Sequence, residues 1–109
     1  MEKAPDFVQM AGYIGLAMRA GQVISGEAAC VNAIRAGKAA VALLDSGASE
    51  NARKRLTDTC AYYSLPLVLV PEEMLQDAVG KPGRMALVLR PGGLADKVIA
   101  CAGGSRLNG

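Results

Sequence analysis

Apolar positions along the chain alternate between a helical period and short unbroken runs, and that alternation predicts the elements. Phe7, Met10, Ala11, Ile14, Ala17 and Met18 recur at helical spacing. Asp6 precedes them as an N-cap, with Gln9 three residues on, and Gly21 is the expected stop. Val23 and Ile24 form a short extended piece, after which Ser25-Gly26 opens a second helix. Ala29, Cys30, Ala33 and Ile34 share one face of that helix, and Gly37 closes it. Residues 39–44 are continuously apolar and end in Asp45-Ser46-Gly47, the pattern of a strand buried on both faces. Ser49 caps a third helix carrying Ala52, Leu56, Cys60 and Tyr63 on one side. Residues 65–70 read as another buried strand, with Pro66 tolerable near its start. Pro71-Glu72-Glu73 places a proline and acids in the expected first turn of a short helix that ends at Gly80. A strand over 85–89, a Pro91-Gly92-Gly93 turn and a last helix to about Cys101 complete the pattern.

Strands this apolar need helices on both faces. The expected fold is therefore a three-layer α/β/α sandwich around a small parallel or mixed sheet. Residues 1–102 read as a single domain, and the polar run 103–109 as a flexible C-terminal tail.

Composition narrows the chemistry. Of the 109 residues 51% are apolar, so the chain can build a core, but Phe7, Tyr13, Tyr62 and Tyr63 are its only aromatics and that core must be aliphatic. Histidine is absent, which removes Ser-His-Asp and Cys-His catalysis and His-ligated zinc. No apolar run approaches membrane-spanning length, and the first residues lack the apolar stretch of a signal peptide. Cys30, Cys60 and Cys101 are widely spaced in aliphatic segments, as expected for reduced, buried thiols in a cytoplasmic protein. A net charge of +2 neither requires nor excludes a polyanionic partner.

The polar residues assemble no catalytic constellation. Neither a phosphate-loop nor a dinucleotide glycine motif occurs, and Gly80-Lys81-Pro82-Gly83-Arg84 leads into a strand as a connecting turn would. Asp45, followed by Ser46-Gly47, reads as a turn residue. Glu50 and Asp58 share a helix with Arg53, Lys54 and Arg55 as exposed ion-pair partners. With no nucleophile–base pair, an enzyme is not expected, nor a metal, a cofactor or a small-molecule substrate. More informative is the run 18–27, where a helix end, a basic residue, a strand and a new helix start fall within ten residues. Free backbone N–H groups at the start of the second helix, with Gly26 admitting close approach, make a docking point for a phosphate backbone.

Gly15-Leu16-Ala17-Met18-Arg19-Ala20-Gly21-Gln22-Val23-Ile24-Ser25-Gly26-Glu27 resembles a known family, as does Leu43-Leu44-Asp45-Ser46-Gly47-Ala48-Ser49-Glu50-Asn51-Ala52-Arg53-Lys54-Arg55-Leu56. The chain is similar, over roughly residues 7–101, to the bacterial YlxQ-like branch of the kink-turn RNA-binding ribosomal protein family. The resemblance implies an α/β/α sandwich and binding of sharply bent RNA without catalysis, in a cytoplasmic, ribosome-associated setting. RNA-binding relatives begin the second helix with G-x-N-E-x-x-K, whose Asn and Glu read guanine edges and whose Lys supports the phosphates. Gly26 matches the glycine, whereas Ala28, Ala29 and Asn32 stand where Asn, Glu and Lys are expected. A glycine-bearing loop before the last strand packs on a flipped-out nucleotide in the family. It corresponds here to residues 75–84, where the usual Leu-Gly has become Leu75-Gln76 and where Gly80 and Lys81 fit.

The resemblance and the helix-start geometry together single out Arg19, Gln22, Ser25, Gly26, Glu27, Ala28, Asn32 and Arg35, with Gly80 and Lys81 from the loop, as an RNA contact surface. Alanine cannot hydrogen-bond a base edge, and each lost bidentate contact costs about 1–3 kcal/mol by analogy with DNA readout. A second reading stays open beside RNA binding: a protein-interaction module that keeps the fold and has lost base-specific recognition. The residues leave the RNA target and the oligomeric state open.

Overall fold

The computed structural model describes residues 3–107. Element order is α1 (Phe7–Arg19), β1 (Val23–Ser25), α2 (Glu27–Arg35), β2 (Val41–Asp45), α3 (Glu50–Tyr62), β3 (Leu67–Val70), α4 (Met74–Val79), β4 (Ala86–Leu89) and α5 (Gly93–Ala102), ending in a 3-10 turn over Gly103–Ser105. The four strands lie in the order β1-β4-β2-β3. β2 and β3 are parallel, and β4 runs antiparallel to both β1 and β2. The sheet is thus mixed, and β4 is the strand that reverses direction.

Alternation along the strands distributes the core to both faces. Val41 and Leu43 of β2, with Val68, Leu87 and Leu89, meet Met10, Ile14 and Ala17 of α1, Leu75 of α4 and Val98 of α5. Ala42 and Leu44, with Leu67, Ala86 and Val88, meet Cys30, Val31 and Ile34 of α2 and Leu56 and Cys60 of α3. All five residues of β2 are buried, because a central strand covered on both sides has no wet face. This is the three-layer sandwich expected from the pattern.

The helix starts follow their sequence signals. Asp6 accepts from the Gln9 N–H at 3.0 Å and Ser49 from the Ala52 N–H at 3.2 Å. The short helix departs from expectation. Glu72 and Glu73 precede α4 instead of entering its first turn, and Glu73 takes a left-handed conformation (φ 71°) at its N-cap. The reason lies in Asp45, which is 3% exposed and accepts from the Gly47 N–H at 2.7 Å and the Glu73 N–H at 2.9 Å. Read from sequence as a turn residue, Asp45 also ties the end of β2 to the segment after β3. The loop expected over 75–84 is shorter, because Leu75–Val79 is helical. At the C-terminus, Arg106 bridges to Val68 and the Leu107 N–H donates to the Leu67 carbonyl at 2.7 Å. The expected tail is therefore held against β3 as far as Leu107, and residues 108–109 lie outside the described residues.

Candidate nucleic-acid interface

Strand directions sort the loops onto two poles. β1, β2 and β3 end, and β4 begins, at one pole, here the upper one. That pole gathers Ser25-Gly26, the Asp45–Ser49 turn, the Pro71–Glu73 turn and the Gly80–Met85 loop. At the lower pole lie the start of β1, the end of β4 and the C-terminal ends of α1, α2 and α3.

Gly26 is the pivot of the upper pole. Its φ of 99° and ψ of 141° suit glycine alone, and its N–H donates to the Ala86 carbonyl at 3.0 Å, extending the β1–β4 ladder by one step. α2 then begins with no side-chain cap. Its first-turn N–H groups are therefore available to an anion. Since β4 pairs antiparallel to β1, the residues that precede β4 fold over those that follow β1. Arg84 arrives there, and a methyl group placed on Gly26 would sit 3.6 Å from its Nη1. The Arg84 Nε is buried and has no hydrogen-bond partner. A guanidinium whose terminal nitrogen lies beside an uncapped helix start can bind a phosphate there. Sequence reasoning placed Arg84 in the loop but not in the interface. The missing signal was the antiparallel pairing of a short β1 with a distant β4.

Glu27, Ala28, Ala29 and Asn32 lie on the outward side of α2, with Ala28, Ala29 and Asn32 exposed. Glu27 is engaged by Arg55 of α3 at 3.0 Å. Around the first turn, the side chains thus offer two alanines, one ion-paired carboxylate and one neutral amide. On the neighbouring loop, the Lys81 N–H closes onto the Gln76 carbonyl at 3.1 Å and the Gly83 N–H onto the Gln76 Oε1 at 3.1 Å. Gly80 caps α4 in the left-handed region (φ 71°), and Lys81 is exposed beyond it.

The structure does not bring all ten candidates together. Ser25, Gly26, Glu27, Ala28, Gly80 and Lys81 share the upper pole, and Asn32 stands one turn further down α2. Gln22 lies four strand residues below Gly26, about 13 Å at the usual rise. Arg19 sits below it at the end of α1, and Arg35 is eight residues down α2 from Glu27, about 12 Å. These three belong to the lower pole.

No group of three His, Cys, Asp or Glu side chains among the described residues could hold a metal ion. The cysteines are free and buried. Burial pushes the Cys30 thiol up to about 12, helped by the neighbouring Cys60 and opposed by the Val88 backbone, and burial pushes Cys60 up to about 11. Neither supplies a thiolate at neutral pH. No helix among the described residues is long and apolar enough to cross a membrane.

Residues 9–98 match the model of the Ribosomal protein L7Ae/L30e/S12e/Gadd45 family. The chain belongs to this family. It is 38% identical over 88 residues to the RNA-binding protein YlxQ of Bacillus subtilis (strain 168), covering 80% of this chain and 88% of that one. It is 40% identical over 73 residues to the RNA-binding protein YlxQ of Enterococcus faecium, covering 66% and 71%. Among solved structures, a protein with unknown function from Bacillus halodurans superposes with a TM-score of 0.82 at 32% identity, covering 86% of this chain and 96% of that one. The family match spans the whole sheet and all the upper-pole loops, so the framework around Gly26 is the family's own.

Proposed function

We propose that this protein is a small, non-catalytic RNA-binding protein that docks structured, kink-turn-like RNA at the upper pole. Family membership and two relatives named as RNA-binding proteins support this reading. The observation that carries it is local: the Arg84 guanidinium lies against Gly26 at the uncapped start of α2. Backbone N–H groups and a cation there converge on the space a phosphate would occupy. Ser25, Gly26, Ala28 and Asn32 from one side, and Gly80, Lys81 and Arg84 from the other, form the docking edge. Arg19, Gln22 and Arg35 stand outside it, and Glu27 contributes only if released from Arg55. Because the alanines read no base edge, recognition rests on RNA shape and backbone rather than on sequence. A cytoplasmic, ribosome-associated role fits free thiols held in the core.

The second reading, a protein-interaction module, has one observation in its favour: Ala28 and Ala29 present an uncharged exposed surface where base-reading groups stand in the family. Fluorescence anisotropy with a labelled kink-turn RNA and a duplex of equal composition separates the two readings. Preference for the kink-turn, reduced about 10-fold or more by Arg84→Ala with an unchanged circular dichroism spectrum, is expected for RNA docking. Equal and negligible binding of both RNAs would favour the protein-interaction reading.

A further inference from the structure

The lower pole holds a cluster that the upper-pole reading leaves unused. Arg19 ends α1, Arg35 ends α2, Lys38 follows it, and Arg90 follows β4. All four are exposed, and none forms an ion pair with a described residue. The backbone holds them side by side. The Arg90 N–H donates to the Gln22 carbonyl at 2.9 Å, and the Ala40 N–H donates to the Leu89 carbonyl at 2.8 Å. Gln22, Arg90 and Ala40 therefore occupy neighbouring positions on three adjacent strands, about 4.8 Å apart, with Arg19 three residues before Gln22 and Lys38 two before Ala40. Two acids stand nearby. Asp58 is paired with Lys54 at 3.2 Å, and Asp96 lies in the first turn of α5.

Beside these cations lies an unusual pair of rings. Only four aromatics exist in the chain, and two of them, Tyr62 and Tyr63, sit together on the surface at the end of α3. Tyr62 is 82% exposed and Tyr63 43%, with their centroids 4.9 Å apart in an edge-to-face arrangement. Tyr62 therefore spends its ring on no core contact. Arg35, Asp58, Thr59, Tyr62 and Tyr63 line one cleft of about 350 Å³, so the ring pair is continuous with the cationic row.

We propose that the lower pole is a second RNA-binding surface, on which a single strand runs its phosphates along Arg19, Arg90, Lys38 and Arg35 and stacks a base on Tyr62. Unpaired cations in a row suit a flexible polyanion, and an exposed aromatic face suits an unpaired base of any identity. Charge complementarity commits the surface to nucleic acid rather than to an apolar partner. An acidic protein would use the cations but would leave the ring's face unused. The proposal does not depend on kink-turn docking, since the two poles lie at opposite ends of the sheet. A structured RNA bound above would leave a flanking single strand for the surface below.

The test uses a labelled ten-nucleotide oligoadenylate, which has no folded element for the upper pole. Anisotropy should show binding with a log–log salt slope near −3, as expected for about four phosphate contacts on a single strand. Tyr62→Ala should weaken binding by about 5- to 100-fold, while Tyr62→Phe, which keeps the stacking face, stays near the native value. Arg19→Ala with Arg90→Ala should flatten the slope by about 1.4. These side chains are exposed, so circular dichroism should show an unchanged fold for each variant. Affinity unmoved by either change, or equal losses for Tyr62→Ala and Tyr62→Phe, would overturn the proposal. Failure of kink-turn binding with oligoadenylate binding intact would reject the upper-pole reading alone.

Discussion

The upper and lower poles of this sheet share backbone ties but differ in how their charged side chains are held. At the upper pole, loops are tied to one another by backbone and by one buried carboxylate: Asp45 holds Gly47 and Glu73, and Gly26 holds Ala86. One of its cations, Arg84, is half-buried against the Gly26 backbone, and one of its acids, Glu27, is paired with Arg55. The lower pole is tied by backbone, Arg90 to Gln22 and Ala40 to Leu89, with no buried carboxylate among its described residues. There the helix ends present unpaired cations and two tyrosines to solvent. The difference teaches that one end of the sheet is organised around a buried carboxylate and a half-buried cation, and the other around exposed side chains. The upper pole offers a preformed shape for a folded ligand, and the lower pole offers adaptable side chains for a flexible one.

The strongest way to sharpen that contrast is to restore what the upper pole lacks. Ala28→Asn, Ala29→Glu and Asn32→Lys together should raise kink-turn affinity by roughly 2–5 kcal/mol, the sum of one or two base contacts and a charge-assisted phosphate contact. All three positions are exposed, so the melting temperature should change little and oligoadenylate binding should stay as it was. A folded triple variant with no gain would show that recognition has diverged beyond these positions. Next in size is Asp45→Ala, which strands the Gly47 and Glu73 N–H groups. Loss of two charge-assisted bonds should cost about 2–4 kcal/mol in urea unfolding, with Asp45→Asn intermediate. If the poles are as separate as their bonding implies, the kink-turn site should suffer more than the lower surface.

The thiols set a pH limit on both poles alike, since Cys30 and Cys60 lie in the layer beneath α2 and α3. Their folded-state values, about 12 and about 11, stand above the ordinary 9.0 of a free thiol. Below pH 9 both states keep the protons, and stability from this source is fully present. Above it the unfolded chain ionises first, so stability should fall by up to about 1.4 kcal/mol per pH unit for each thiol until the folded values are reached. Urea midpoints measured from pH 8 to 11 should show that slope, and Cys30→Ala with Cys60→Ala should remove it. The smallest effect concerns Ser64, which turns the chain out of α3 beneath the tyrosine pair with φ 55°. Ser64→Gly relieves the left-handed strain at the cost of unfolded-state freedom, and should stabilise by up to about 1 kcal/mol without altering oligoadenylate binding.

The order and type of the elements were legible along the chain because they depend on local signals. Periodicity marked α1, α2 and α3, Asp6, Ser49, Gly21 and Gly37 marked ends among them, and Gly80 marked the end of α4. The continuous apolarity of 39–44 marked a doubly covered strand, which the structure places at Val41–Asp45. Each of these signals acts within a few residues, through side-chain period, capping and the conformational freedom of glycine. The fourth helix was misjudged at its start because a residue 28 positions away, Asp45, captures the Glu73 N–H. Of the candidate contact residues, the structure groups Ser25, Gly26 and Lys81 at one pole and carries Arg19, Gln22 and Arg35 to the other. Adjacency in sequence put Arg19 and Gln22 beside Gly26, whereas an extended β1 carries them to the other end of the sheet. What only the tertiary structure decided was the direction of β4. By running antiparallel to β1 it brings Arg84 back over Gly26 and sends Arg90 to Gln22, a pairing of distant segments that no local pattern encodes.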